Sequence, residues 1–419
     1  MNTTTEIPNR EYIELTFVKE TATGKGLNTQ FIMENTGDGN FQITDGRVGI
    51  KVGPHKPKRY TRPISEWDKT FLSRLSRGYL VTKTKRMEQK IIGNQKYTDI
   101  PDAAVKEIVG RLMEYADKAM EQNFSVKVDD ISDEMIRYGK EILHEMQTKY
   151  IKMSVAEFNG KLKVLYAAVP RRIDKLSDKL ARSKQDFVQI LEDEQEIYDL
   201  MIKQVRAAGM DKKPSSTILD AYGLHIRPVT QEEEDYIKEK LTNQKNAYKQ
   251  AWKVTFDSSE KAFNDYCRAE GLSEEHGISH LFHGSKHQNW WSILTNGIWC
   301  EPEKHPEFCG TITGKAGGLG AYFAPDSIKS KGYTSFMGSK WAHGTENTGF
   351  MALFKVATGN EYYGQDGYGC DFTWKKLQDT APGSHCLWLK SRYSGFYMDE
   401  VIIYQENQFT IDYLIELGA

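Results

Sequence analysis

The sequence predicts a multidomain α+β protein, and three successive textures along its 419 residues predict it. From about Tyr12 to Arg86, apolar and aromatic residues recur at every second position between Gly and Asn turns. From about Pro101 the apolar repeat becomes helical. After about Lys213, short apolar strands return among Gly-rich turns. The chain divides accordingly into a small antiparallel β N-terminal module (1–95), an α-helical bundle (96–213) and a C-terminal mixed α/β region with central antiparallel sheets (214–419). A chain of this length can bury a core in each part.

The first part reads as strands in "YIELTFV", "TQFIMEN" and "FQITDGRVGIKVG", with "TGDGN" as a turn. Its far end carries Lys51, Lys56, Lys58, Arg59, Arg62, Lys69, Arg74, Arg77, Lys83, Lys85 and Arg86 against only Glu66 and Asp68, with Tyr60, Trp67 and Tyr79 interleaved. Two readings stand. The stretch is a solvated charged face, or it grips a phosphate backbone, with Lys56, Lys58, Arg59 and Trp67 as candidate contacts. The formal net charge of -2 excludes a uniformly basic nucleic-acid binder, so any basic patch is local.

In the second part, Val105, Ile108, Val109, Leu112, Ala116 and Ala119 share one helical face. Tyr138, Ile142, Leu143 and Met146, and then Phe187, Ile190, Leu191, Ile197, Tyr198 and Met201, continue the pattern. These stripes are core positions. Asp102 and Ser132 fit helix N-caps, and Pro170 in "VPRR" breaks one helix before the next.

In the third part, "GFMALFKVATGN" and "DEVIIYQ" read as strands and "EEEDYIKEKL" as an exposed helix face. The five cysteines, Cys267, Cys300, Cys309, Cys370 and Cys386, show no CxxC spacing, which favours neither a disulfide framework nor a metal site and points to a reducing compartment. The start "MNTTTEIPNREYIEL" lacks the pattern of a signal peptide, and no apolar run approaches about 18 residues. The glycines of "GKAGGLG" have the wrong spacing for a phosphate loop or a dinucleotide fingerprint. Four residues stand out in chain order: His283 in "LFHGS", Tyr322 in "GLGAYFA", Tyr333 in "SKGYT" and Glu400 in "MDEVIIY". Each alone fits a packed or solvated residue.

Together, the segments "HGSKHQNWWSILTNGI" and "GLGAYFAPDSIKSKGYT", followed by Glu400, resemble the His-Tyr-Glu catalytic domain of the poly(ADP-ribose) polymerases. "VLYAAVPR" with "DFVQILEDEQEIYDL" is similar to the helical regulatory domain of the DNA-dependent members, and "NFQITDGRVG" resembles their WGR module. The resemblance implies an ADP-ribosyltransferase fold for residues 214–419, NAD+ as substrate, no metal, protein acceptors including the enzyme itself, and damaged DNA ends as a partner.

The resemblance also assigns roles. Gly284 grips the nicotinamide carboxamide through its backbone, with Ser330 and Ser285 adding hydroxyl contacts. His283 anchors the adenosine-side ribose, Tyr322 and Tyr333 sandwich the nicotinamide, and Glu400 supplies the charge beside the reacting ribose. His283, Tyr322 and Glu400 are thus the expected catalytic set. Asp399 is the alternative carboxylate, which strand alternation turns away from the face of Glu400. Arg47 joins the candidate nucleic-acid contacts.

Three departures accompany the resemblance. Asp45 stands where the WGR motif has tryptophan and would repel phosphate, Pro325 replaces an acidic residue, and the loop before Tyr322 differs, with Trp299 near an expected basic contact. The competing expectations are a DNA-binding scaffold with an inactive transferase fold and a mono-ADP-ribosyltransferase. Location is expected to be intracellular, nuclear in a eukaryote and cytoplasmic in a bacterium.

Overall fold

The computed structural model describes residues 10–21, 25–50, 53–84, 97–208, 216–301, 303–305, 317–364 and 372–418. Lys51, Lys85, Arg86, Cys309, Cys370, most of the loop before Gly317 and the boundaries expected near residues 95 and 213 lie outside them. Packing groups the chain into two compact units. Residues 1–93 and 120–208 form the first, and residues 94–119 and 209–419 the second. Residues 94–119, whose texture joins them to the helices that follow, therefore pack with the C-terminal region.

The first unit opens with strands β1 (Tyr12–Glu20), β2 (Gly26–Asn35), β3 (Asn40–Arg47) and β4 (Lys58–Pro63), helix α1 (Trp67–Leu75) and strand β5 (Leu80–Lys83). The strands form one antiparallel sheet in the order β4-β3-β2-β1-β5. Period two puts Ile13 and Leu15, Phe31 and Met33, and Phe41 and Ile43 on one face, where Trp67 and Phe71 of α1 cover them. Trp67 is fully buried and meets Phe41 edge to face at 5.0 Å.

The helices that follow are α2 (Ala103–Asn123), α3 (Asp133–Lys149), α4 (Val155–Ala168) and α5 (Phe187–Ala208). Asp102 accepts from the amides of Ala104 and Val105, and Ser132 from that of Met135, so both act as caps. Ser154 and Glu157 form a capping box on α4, and α4 ends two residues before Pro170. Among the described residues, no helix is long and apolar enough to cross a membrane.

The second unit continues through α6 (Ile218–Tyr222), β6 (Leu224–Pro228), α7 (Gln231–Leu241), β7 (Tyr248–Phe256), α8 (Asp257–Glu270), β8 (Ile278–Ser285) and α9 (Trp290–Asn296). Then come β9 (Ala321–Phe323), α10 (Ser327–Lys331), β10 (Thr348–Ala357), β11 (Glu361–Tyr363), α11 (Trp374–Thr380), β12 (Cys386–Leu389), α12 (Ser391–Ser394), β13 (Glu400–Ile403) and β14 (Phe409–Gly418). One antiparallel sheet has the order β6-β7-β14-β10-β8. The other, β11-β12-β13-β9, is antiparallel except for its β11–β12 pair. Both Phe282–Ala324 backbone hydrogen bonds, 2.8 Å each, stitch β8 to the end of β9. The two sheets meet at that seam.

Residues 97–119 join this unit through a buried ion pair. Arg111 of α2 meets Glu416 of β14 at 2.6 and 3.0 Å, and Gln250 and Lys249 add contacts at 2.7 and 3.3 Å. The Glu416 side chain is fully buried. Burial works against its charge, but Arg111 and Gln250 outweigh burial and hold the carboxyl below its ordinary value. Tyr115, one turn on, stacks on His287 at 4.4 Å.

Candidate active site

The seam brings together the ends of β8 and β9, helix α10 and the start of β13. His283, Gly284 and Ser285 are the last residues of β8. The His283 ring has Trp290, Phe323 and Phe354 around it at 6.4, 5.9 and 6.1 Å. Its Nδ1 lies 2.9 Å from the carbonyl of Tyr322. A carbonyl only accepts, so Nδ1 carries the proton, and in the neutral ring Nε2 is the acceptor nitrogen. A ring nitrogen in that state is able to accept from a hydroxyl group.

Gly284 has an internal reason to lack a side chain. A Cβ there would collide with the backbone carbonyl of Ser330, so glycine is what allows α10 to lie against β8. The sequence reading gave this glycine to ligand approach; the close backbone passage is a second and independent demand. Ser330 is buried, and the Ser285 hydroxyl accepts from Asn289 at 3.0 Å. Tyr333 follows α10 and is 40% exposed. The Tyr322 hydroxyl donates to the Gly318 carbonyl at 2.8 Å and accepts from the Gly317 amide at 3.0 Å.

Glu400 opens β13, two residues before Ile402, which pairs with Tyr322. It is buried, and its Oε1 lies 3.0 Å from Nζ of Lys329, itself buried. Lys329 also donates to the Met398 carbonyl at 3.3 Å. Burial pushes the Glu400 carboxyl above its ordinary value, and the Lys329 charge pulls partly against that. Among the described residues, Lys329 is the cation beside the Glu400 carboxyl. Asp399 has other partners. Burial raises its carboxyl, but the amide and hydroxyl of Ser391 and the indole of Trp388 outweigh that and hold it below the ordinary range. The two neighbouring carboxylates thus have separate surroundings, as strand alternation requires.

Sequence reasoning missed Lys329. The available signal was its place one residue before Ser330, in a short helix whose neighbours already carried site assignments. Trp299 is buried, stacks on His305 at 4.2 Å and donates to the Asn296 carbonyl at 3.1 Å, so its ring is a packed element of the loop. Among the described residues, no group of three or more His, Cys, Asp or Glu side chains is placed to hold a metal ion.

The nucleic-acid candidates in the first unit separate into two groups. Lys56, Lys58 and Arg59 are exposed at the start of β4, and Arg47 ends the paired strand β3, so these four share one end of the β3–β4 pair. Trp67 is corrected: it lies in the core under α1, where no base can stack on it. Its interleaving with lysines reflects the i, i+4 spacing of a helix whose apolar face holds Trp67 and Phe71. Asp45 is held by Arg74 at 2.9 Å and stands opposite Lys58 in register, which offsets the repulsion expected from a lone carboxylate.

Residues 231–419 match the family model of the poly(ADP-ribose) polymerase catalytic domain. The chain is also similar to uncharacterized protein 101L of Invertebrate iridescent virus 6, 23% identical over 195 residues, which are 46% of this chain and 80% of the viral protein. It is similar to human poly [ADP-ribose] polymerase 2, 33% identical over 108 residues, 26% of this chain and 15% of the human protein. The human relative is therefore matched over a small part of its length. The catalytic-domain match makes the C-terminal region an NAD+ ADP-ribosyltransferase.

Proposed function

We propose that the protein builds poly(ADP-ribose) on protein acceptors, itself included, releasing one nicotinamide at each transfer. The observation that carries this reading is Glu400, buried against Lys329 beside the His283–Tyr322 unit. In the proposed reaction the bond from ribose C1′ to the nicotinamide nitrogen breaks, and its electron pair leaves with nicotinamide. The sugar becomes oxocarbenium-like, as in glycoside hydrolysis. The Glu400 carboxylate stabilises that charge, holds the 2′-hydroxyl and takes the proton of the attacking acceptor hydroxyl. Gly284 and Ser330 orient the carboxamide, with Ser285 close by, Tyr322 and Tyr333 enclose the cationic ring, and His283 anchors the far ribose.

In the same proposal the exposed end of β3 and β4, with Arg47, Lys56, Lys58 and Arg59, engages DNA ends, and the helices between residues 96 and 213 restrain the transferase until that happens. Supporting it are the exposure of β4 and the pairing of Asp45 with Arg74. The experiment is incubation with labelled NAD+ in the presence and absence of broken DNA. A ladder of modified species that grows with DNA is expected. A single shift would replace polymer synthesis with single transfer, no label would leave a scaffold, and a ladder indifferent to DNA would remove the DNA ends from the account.

A further inference from the structure

We infer that Trp341 is a positioning residue for the nicotinamide end of NAD+, acting through Tyr333. This deepens the proposed function and rests on its assignment of Tyr333 to the nicotinamide ring. The Tyr333 ring is 40% exposed and follows directly on a five-residue helix. Trp341 lies against it. The two rings stack at 4.8 Å between centroids and 17° between planes.

The stack is built into the backbone. The amides of Trp341 and Ala342 both donate to the Gly332 carbonyl at 2.9 Å, directly before Tyr333. Gly332 has an ordinary φ of -60°, so conformational freedom does not explain it. A Cβ at Gly332 would run into the Trp341 ring, so the glycine makes room for the indole. The turn carrying Trp341 is closed at its base by bonds from the Met337 amide to the Glu346 carbonyl at 2.8 Å and from the Glu346 amide to the Ser335 carbonyl at 3.0 Å. It is tightened by a bond from the Gly344 amide to the Ser339 hydroxyl at 2.7 Å.

Lys340 extends the arrangement toward the reacting carboxylate. Its ammonium lies 5.3 Å from the Trp341 ring centre and 4.6 Å from that of Tyr397, three residues before Glu400. The turn thus links the residue that stacks on the leaving group to the segment that delivers the catalytic charge. A ring held from behind loses less freedom when a ligand stacks on its other side, so the stack favours binding by preorganisation.

The inference makes a selective claim. Benzamide mimics the nicotinamide end alone, and ADP-ribose carries the rest of NAD+ without it. In the full chain, Trp341→Ala should weaken benzamide binding about three- to tenfold, the range expected for one aromatic stack, while ADP-ribose affinity is unchanged. KM for NAD+ should rise by a similar factor with kcat little changed. Trp341→Phe should restore most of the loss, and Gly332→Ala should reproduce it by displacing the indole.

Tyr333→Ala is the parallel variant, and calorimetric titration of both ligands is the readout, with thermal unfolding confirming that each variant is folded. If Tyr333→Ala weakens benzamide and Trp341→Ala does not, the positioning role is overturned while the nicotinamide site stands. If Tyr333→Ala leaves benzamide binding intact, the site assignment itself fails and the inference with it. If Trp341→Ala weakens both ligands equally, Trp341 supports the whole pocket and the selective role is overturned.

Discussion

The basic end of the first sheet and the seam between the two sheets of the second unit hold their charges in opposite ways. At the seam, Glu400 of β13 and Lys329 of α10 are both buried, 3.0 Å apart. On β4, every residue from Lys58 to Pro63 is exposed. A buried charge depends on its partner and transmits any change to its neighbours; an exposed one acts by adding to a field that salt screens. The difference teaches where function is local and where it is collective. A single substitution should disable the seam, while the basic face should lose its effect by increments.

The largest effects belong to buried groups. Arg111→Ala leaves the fully buried Glu416 with Lys249 and Gln250 among the described residues, and should lower the stability of the second unit by about 3–5 kcal/mol in denaturant unfolding. The stability added by Glu416 is present at neutral pH and is lost as pH falls through its lowered folded value, so wild type should lose more on acidification than the variant does. Trp67→Ala should cost the first unit about 3–5 kcal/mol by opening its core. A folded Trp67→Ala variant with native stability but weakened DNA binding would return that residue to the nucleic-acid surface.

Lys329→Met comes next and sharpens the comparison within the seam. Burial raises the Glu400 carboxyl and Lys329 opposes the rise, so removing the cation raises it further. Activity that needs the carboxylate falls as pH drops through that value, and the acid limb of the pH–rate profile should therefore move to higher pH. An unmoved limb would separate Glu400 from the titration that limits the rate.

The smallest effects lie on β4. Lys58→Ala and Arg59→Ala should each change stability by less than about 0.5 kcal/mol. Each should weaken DNA binding modestly and make the slope of log affinity against log salt shallower by about one. A large loss from either alone would mean that the face works as a defined site.

Much of the fold was legible because its local patterns are strict. The period-two pairs Ile13 and Leu15, Phe31 and Met33, and Phe41 and Ile43 all line one core, and the caps at Asp102 and Ser132 hold the helices that their positions imply. His283, Tyr322 and Glu400 were singled out through a resemblance of motifs, and the structure brings the strands that carry them to one seam. Lys329 was not, since its role depends on a long-range meeting of α10 with β13 that no spacing within the chain reports. Trp67 was misplaced because composition counts an aromatic among lysines without knowing which face of the helix it occupies. The allegiance of residues 94–119 was hidden for a similar reason: Arg111 and Glu416 are 305 positions apart, and their pairing outweighs the helical texture shared with the following segment.

The most direct test of the account is nicotinamide release from NAD+ by wild type and Glu400→Gln, with benzamide affinity measured on the same samples. The substitution keeps the shape of the side chain and removes the charge placed beside the reacting ribose. The account predicts that wild type releases nicotinamide and that Glu400→Gln loses polymer elongation, with release slowed on the order of 10²-fold or more, while both bind benzamide alike. Equal release by the two proteins, with long chains still made, would contradict it and move the reacting charge away from Glu400.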